Sequence, residues 1–414
     1  MGLKYDIIVV GGGPSGIFSA IYGARRGKTV LIVEKSKSLA LKLLASGNGR
    51  ANLTNTLDND TFLSRVGHGK KEGLFLKDAF NIFDKLSLKN LFLELGLEIK
   101  PFDGFHIFPE DRSSKTVVDL LIKELKRLGV KILTSSKCEK ILVKNNSIDG
   151  VLVNGKKYLS KSLVVATGGK GFPSLGGSVD GYNILRDIGH KITNLYPAMV
   201  KLNVKERWIE NCRADTISNA VIKIDIKKYS KKSFKGDLIF TQKGLMGPLI
   251  QDFSGEVTPL FDKYDEVPLL INFVKGKNRE EIYTLFKKFK SKDPTKPLLD
   301  HISTILPKPL ILEFCKQLSI DPNIQINRFS GRDRENLIDL MVKGKLTVTG
   351  SEGFKSAMVT RGGVSLKEVN PKTMESKLIK NLYIVGEVLD IDGPCGGYNL
   401  QIAFSTGAVA GKFA

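Results

Sequence analysis

Apolar positions along the chain switch between two rhythms, with glycine-rich breaks between them. Tyr5 to Val10 is a near-continuous apolar run, as a strand buried on both faces requires. Ile17, Ala20, Ile21 and Ala24 then repeat at helical spacing, and Thr29 to Val33 is a second buried run. Together they predict a strand, turn, helix, strand unit with parallel strands. Helical spacing recurs near Phe75 to Leu95 and over Lys115 to Leu128, which Gly129 closes. Val130 to Thr134, Glu139 to Lys144 and Ile148 to Val153 alternate as strands. Asn145 and Asn146 mark a hairpin turn between the last two, and Leu163 to Ala166 is a buried strand running into Thr167, Gly168 and Gly169.

From about Thr193 to Leu346 the pattern changes. Lys201 to Thr241 is β-rich, with alternation such as Val221 to Ile226, while Arg279 to Lys290 and Glu335 to Val342 are helical and the residues around Pro307 and Pro309 read as a loop. Leu382 to Val385 then returns as a strand, and Gly396 to Ala410 as a glycine-started apolar helix. The expected organisation is a nucleotide-binding domain in two parts, 1–192 and 347–414, with an inserted β-rich and helical lobe at 193–346 that caps the cofactor and shapes a substrate cavity.

The first turn carries the most specific chemistry. In GGGPSG, Gly11 lets the chain leave the strand sharply, Gly13 leaves room for a pyrophosphate against bare backbone, and Gly16 lets the helix lie close to the sheet. The helix starting near Pro14 and Ser15 aims unpaired N–H groups and its positive dipole end at the phosphates. Glu34 ends the second strand, where a carboxylate accepts both hydroxyls of an adenosine ribose and repels a 2′-phosphate, so FAD or NAD fits better than NADP. Lys35, beside it, is also expected at the cofactor.

Composition narrows the classes. With 414 residues, 42% apolar and 26% charged, the chain is a globular protein of two or three lobes. No run of about 18 apolar residues occurs, and a first strand beginning by Tyr5 leaves no room for a signal peptide; a cytoplasmic protein without membrane contact is expected. Cys138, Cys212, Cys315 and Cys395 form no CxxC pair, and the four histidines form no HxxxH or HExxH, which argues against a dithiol mechanism and against a metal centre. The net charge of +21 and pI near 9.6 suit a polyanion. However, lysines are spread along the whole chain, and the densest stretch, Lys223 to Lys243, interleaves them with Ile and Phe as an exposed edge strand would. Solvated surface is therefore the expectation, with nucleic acid as the competing reading.

Three further constellations surround the turn. KLLASGNGRANLTN (42–55) is dense in small and amide residues, with Arg50 able to balance pyrophosphate charge. TRGGV (360–364) places Arg361 beside two glycines, either facing a carboxylate substrate or the flavin edge or serving as an ordinary turn arginine. GEVLDIDGPCGGYNLQIAFSTGAVAG (386–411) pairs a strand ending in Gly386 and Glu387 with a helix whose N-terminus favours negative charge at the pyrimidine edge of a flavin.

These blocks, with FHIFPEDRSSKTVVDLL and ATGGKGFPSLGGSVDGY, resemble the BaiN/YhiN-like flavoproteins, also called the aminoacetone oxidase family of FAD-binding enzymes. The resemblance spans both ends of the chain and covers the 193–346 region mainly in general arrangement. It implies one FAD, oxidoreductase activity, and an α/β fold of the two-dinucleotide-binding-domain flavoprotein type: a Rossmann-like FAD domain with a parallel sheet and an inserted β-rich plus helical lobe. Matched by motif, Gly11, Gly13, Ser15, Gly16, Glu34, Lys42, Ser46, Gly47, Arg50, Asn52, Thr167, Gly168, Gly386, Glu387, Gly397, Tyr398 and Asn399 are the implied FAD contacts, with Pro14 at the helix start. The chain departs from the family where Ala51 replaces a usual Cys, where Arg361 replaces a usual small residue, and at Pro394 and Cys395. His106 occupies an often basic position and is either a general acid or a satisfied structural histidine.

The function expected is hydride exchange between a small organic substrate and N5 of FAD, with Arg361 and His106 as candidate catalytic residues. No second GxGxxG follows Leu163 to Ala166, so NAD(P)H would dock only transiently, or dioxygen would reoxidise the flavin. A non-catalytic redox sensor and a flavoprotein acting on or binding RNA are the alternatives.

Overall fold

The structure, a computed structural model, describes residues 4–414, which divide into two compact units. One runs to Tyr196 and resumes at Met358; the other is Pro197–Ala357.

The first unit is built on a parallel sheet. Lys4–Val10 lies between Val30–Val33 and Lys156–Val165, both parallel to it, with Val9 paired to Ile32 on one side and Val164 on the other. Lys131–Leu133 extends the sheet beyond Val30–Val33, and Leu382–Ile384 pairs in parallel with the end of Lys156–Val165. Ile7, Ile8, Val9, Ile32, Val164 and Ile384 are fully buried, as aliphatic strands covered on both faces must be. The strand at 131–133 is thus a Rossmann strand. The antiparallel meander consists instead of Cys138–Lys144, Ser147–Val153 and Lys156–Val165. Asn145 and Asn146 form its first turn, both at positive φ (50° and 54°), the geometry a right-twisted two-residue hairpin needs.

The expected helix at 75–95 is two helices, Lys71–Ile82 and Lys85–Glu94. Asp84 causes the break, because its carboxylate accepts from the N–H groups of Leu86 and Ser87 and starts a new helix there. Ser113 likewise caps Ser114–Arg127 through Thr116 N–H. On that helix Glu124, 3% exposed, accepts from Arg127 Nε at 2.7 Å and from Arg25 Nη2 at 2.8 Å. The Arg127 hydrogen bond first, then Arg25, hold its carboxyl below the usual range. A depressed native pKa contributes stability above the unfolded value and loses it on acidification. Glu124→Gln is expected to cost about 1–3 kcal/mol at neutral pH. In denaturant titrations the difference from wild type should begin to shrink as pH falls through the ordinary glutamate range and vanish only below the depressed native value.

Helix Pro14–Arg25 lies against the terminal helix Tyr398–Phe413. A Cβ on Gly407 would fall 2.3 Å from Ser15 O, and one on Gly411 2.5 Å from Ser19 O. The two backbones meet at this distance only because both positions lack side chains. Ser19 Oγ donates to Ser15 O at 2.9 Å or Gly407 O at 3.0 Å, and Phe18 stacks on Phe404 at 4.4 Å.

The second unit is a closed antiparallel barrel. Its strands run in the order Leu202–Val204, Gly244–Met246, Ser233–Phe240, Thr216–Ile224, Val267–Asn272 and Gly344–Ser351, and the last pairs with the first. Val267, Leu269 and Ile271 point inward while their neighbours are half-buried, the period-2 pattern of a barrel wall. Two expectations need correction here. The lysine-rich strands at 216–240 are edges only in part: Thr216–Ile224 has a second neighbour at 221–224 and Ser233–Phe240 at 239–240, while residues 233–238 have no strand on that side. The lobe also does not end at residue 346, because Leu346 lies mid-strand and pairs with Leu269. The helices Arg279–Lys292, Lys308–Leu318 and Gly331–Lys343 complete this unit. Lys308–Leu318 replaces the loop expected around Pro307 and Pro309: Pro307 is its N-cap and Pro309 lies in the first turn, where a missing N–H costs nothing. Among the described residues, no helix is long and apolar enough to cross a membrane, and no group of three His, Cys, Asp or Glu side chains could hold a metal ion.

Candidate functional site

The glycine turn is fixed by crowding at two positions and open at a third. A Cβ on Gly11 (φ +105°) would fall 2.3 Å from Ala166 O, and one on Gly16 would fall 1.9 Å from Gly11 O. At Gly13, by contrast, a Cβ would meet nothing within 4 Å, and the backbone is extended (φ −79°, ψ −178°). Gly13 caps the helix without a side-chain hydrogen bond, and Pro14 follows in the first turn. Amide N–H groups at a helix start therefore face open room, which suits a phosphate.

Glu34 is stapled to this turn. Its Oε2 accepts from Gly12 N–H and its Oε1 from Ser36 N–H, both at 2.7 Å. A carboxylate has about four acceptor sites, so two remain for a diol. Lys35 turns instead to Asp180, at 3.5 Å, an aspartate it shares with Lys137 at 3.0 Å.

The second grip comes from the chain's last segment. Gly386 (φ +73°) donates its N–H to Thr406 Oγ1 at 3.1 Å, and a Cβ there would fall 2.4 Å from Ser15 Oγ. The strand end is thereby pressed against the first turn of the N-terminal helix. Glu387 Oε1 accepts from Thr360 N–H at 2.9 Å, while Oε2 pairs with Lys42 Nζ at 3.1 Å. Lys42 and Glu387 are thus one neutralised pair. Thr360 Oγ1 in turn accepts from Lys170 N–H at 2.8 Å or Gly171 N–H at 3.2 Å, tying the strand to the loop after Thr167 and Gly168. Gly168 (φ +71°) has open space at its Cβ position, and the buried Thr167 hydroxyl has no hydrogen-bond partner. The open backbone at Gly168 leaves room for a ligand, whereas the orphaned hydroxyl is packed over Gly181, where a Cβ would fall 1.9 Å from it.

The 42–55 loop cradles the start of the terminal helix. Ser46 Oγ donates to Leu43 O at 2.7 Å, Gly47 (φ +58°) turns the chain, and the exposed Arg50 donates from Nε to Gly47 O at 3.0 Å. The Asn52 amide, oriented to satisfy both neighbours, donates to Thr54 O at 3.1 Å and accepts from Gly397 N–H at 3.2 Å. Asn55 Nδ2 donates to Gly396 O at 2.9 Å. Gly397 (φ +82°) would bring a Cβ within 2.5 Å of Thr54 O, so the loop and the helix start meet backbone to backbone. Tyr398 is buried against Phe62 (4.5 Å between rings), and Asn399 clamps Gly393, accepting its N–H and donating to its carbonyl, both at 2.8 Å.

His106 lies beside this helix start. A Cβ on Gly396 would be 3.4 Å from His106 Nε2, and its Nδ1 is 2.6 Å from Asp103 Oδ2. That contact, more than any other, holds the Asp103 carboxyl far below the usual range. Arg361 is half-buried at the end of strand Val359–Arg361, next to Thr360, with Gly362 (φ +97°) turning the chain after it.

Sequence reasoning missed a second histidine pair. His68 Nε2 is 2.9 Å from Asp392 Oδ1, and Gly67 N–H donates to Asp392 O at 2.8 Å, docking the 66–70 loop onto the glycine loop before the terminal helix. Glu72, buried nearby, keeps Oε2 without a partner, and burial pushes the Asp390 carboxyl up. The signal in the sequence was a histidine flanked by glycines at 67–69 and two acids in DID at 390–392. Burial also pushes the thiols of Cys138 and Cys212 up to about 12 and that of Cys315 to about 11, so none supplies a thiolate at neutral pH.

A family profile described as "HI0933-like protein Rossmann domain" matches residues 5–413. The chain is 31% identical to a 3-dehydro-bile acid delta(4,6)-reductase of Clostridium scindens, over 98% of both chains. It is 28% identical to a ribosomal RNA dihydrouridine synthase of Escherichia coli, over 97% of this chain and 96% of that one. Against a protein of the same name from Haemophilus influenzae the figure is 30%, over 96% of each. Among solved structures, a 3-ketosteroid delta1-dehydrogenase from Sterolibacterium denitrificans has a TM-score of 0.53 at 13% identity, covering 99% of this chain and 98% of that one. At that identity the likeness is one of fold.

Proposed function

The chain belongs to the HI0933-like Rossmann family, a flavoprotein family, and from that premise we propose that it reduces a carbon–carbon double bond conjugated to a carbonyl. It is a flavin-dependent oxidoreductase with FAD as cofactor. The observation that carries the reading is the double grip: an open glycine turn with Glu34 at one end, and the Gly386–Gly397 segment meeting the 42–55 loop at the other. A dinucleotide is the ligand whose length needs both. Gly11, Gly13, Pro14, Ser15 and Gly16 hold the pyrophosphate, Glu34 the ribose, and Thr167 and Gly168 the chain between. Asn52 and Gly397 set the helix start that favours charge at the flavin's pyrimidine edge.

When bound, FAD supplies a hydride through N5 to the carbon β to the carbonyl, reduced nicotinamide being the electron source. The protein must then deliver a proton to the α carbon. His106 is the candidate: Nδ1–H donates to the Asp103 carboxylate, which leaves Nε2 as the ring nitrogen free of that contact, able to deliver a proton from the imidazolium form. Two relatives' names suggest this class, because a Δ4,6 steroid double bond conjugated to a 3-keto group and the C5=C6 bond of uridine are both conjugated to a carbonyl. The net charge of +21 favours the uridine form, with RNA as the substrate. The same reading makes the protein a cytoplasmic enzyme.

Two experiments test it. Holoenzyme reduced with dithionite under anaerobic conditions should be reoxidised by a conjugated ketosteroid or by uridine-containing RNA, with one double bond saturated per flavin. Indifference to both would overturn the proposal. Gly13→Val should cost apo stability no more than about 1 kcal/mol, that of a poorer N-cap, since a Cβ there meets no protein atom within 4 Å, yet lower FAD affinity at least about a hundredfold by filling the phosphate space. Equal affinity in a flavin titration would remove Gly13 from the site.

A further inference from the structure

One hairpin turn of the barrel lobe concentrates lysines, as does the end of helix Arg279–Lys292. Strands Thr216–Ile224 and Ser233–Phe240 are joined by residues 225–232, and Lys223 pairs with Ser233 at the mouth of the turn. Residues 223–235 contain six lysines and a single acid, Asp225. Lys232 is paired with Glu256 at 2.8 Å. Lys227, Lys228, Lys231 and Lys235 are exposed and have no anionic partner among the described residues. Edge protection does not account for the turn lysines, because Lys227, Lys228 and Lys231 lie between the strands; only Lys235 sits on a stretch, 233–238, whose second side carries no strand. Concentrating like charges at one turn costs repulsion with no return inside the fold, which points outward.

Rings stand among these cations. Lys228 Nζ lies 5.6 Å from the half-buried Tyr229 ring and Lys232 Nζ 4.9 Å from Phe234, and together with Lys231 they line a cleft. We propose that this hairpin binds the phosphate backbone of single-stranded RNA, with Lys227, Lys228, Lys231 and Lys235 as phosphate contacts and Tyr229 as a face for a base. An anionic bilayer is the other polyanion of this kind. It calls for protruding apolar side chains to insert, and no large apolar side chain of the turn is exposed. The inference deepens the RNA form of the proposed function and rests on it for its choice of polynucleotide. Binding, however, is read separately from turnover.

The test uses holoenzyme and a fluorescent uridine-rich RNA, titrated by anisotropy at several salt concentrations. The variant K227Q/K228Q/K231Q/K235Q should bind at least tenfold more weakly at low salt, with the log–log salt slope reduced by about 3, near 0.7 per lost contact. Its flavin content and melting temperature should match wild type. A second variant, K287Q/K288Q/K290Q/K292Q, removes the same charge from helix Arg279–Lys292 and should bind nearly as wild type does. Equal losses in both variants, no loss in the first, tighter binding to DNA of the same sequence, or capture by anionic phospholipid vesicles in place of RNA would each overturn the proposal. The flavin reoxidation assay stands apart, because failure there with intact hairpin-dependent binding would sink the reaction and leave the surface.

Discussion

Glu34→Arg is expected to strip FAD from the protein. In the native chain the carboxylate holds the N–H groups of Gly12 and Ser36 at 2.7 Å, which shapes the glycine turn, and under the proposed function its remaining lone pairs accept from a ribose diol. A guanidinium there cannot accept from either amide, cannot accept from the diol, and adds a cation beside donors already crowded together. Losing charge-assisted hydrogen bonds on both the protein and the ligand side costs at least about 3 kcal/mol, more than a hundredfold in affinity. Purified variant protein should be nearly colourless. Glu34→Gln, which keeps one acceptor oxygen, should retain an intermediate share of flavin. Full occupancy in the arginine variant, measured by visible absorbance against protein, would remove Glu34 from the cofactor site.

Gly407→Val carries the largest expected cost in stability. Any Cβ at residue 407 falls 2.3 Å from Ser15 O, and that oxygen cannot retreat: Ser19 Oγ already bonds it, and Ser15 Oγ lies against Gly386. The helices must separate, which breaks the Ser19 bridge to Gly407 O and opens the Phe18–Phe404 stack. The expected loss is about 3 kcal/mol or more, a fall in melting temperature on the order of 10 °C. Because the same joint holds Gly386 against the N-terminal helix, flavin should be released in the first step of heating. A variant that melts like wild type would show that the two helices do not meet as described.

The parts of the fold legible in the sequence were those whose meaning is local. The glycine turn, Glu34 at the strand end, the Asn145–Asn146 hairpin and the glycine-started terminal helix each declare themselves within a few residues, because backbone sterics and helix-end chemistry act over that range. Periodicity, by contrast, reports which face of an element is buried and not what covers it. The alternation at 216–240 therefore looked like an edge, although strand Val267–Asn272 covers 221–224 and the short strand Gly244–Met246 covers 239–240. Pro309 read as a loop residue because the rule against proline in helices does not hold in the first turn.

Pairings across long stretches of chain were equally invisible. Lys42 and Glu387 were expected as separate contacts and instead neutralise each other, and His68 with Asp392 escaped notice because neither residue is informative without its partner. Arg361 and His106 were singled out individually. The structure gives His106 a defined place, with Asp103 on one nitrogen and Gly396 beside the other.

The central claim, a single dinucleotide flavin gripped at both ends by the first unit, is tested most directly by denaturing the freshly purified protein and identifying the released chromophore by mass spectrometry alongside a protein assay. One FAD per chain is predicted. Release of FMN, or a colourless protein that takes up no FAD on reconstitution, would contradict it.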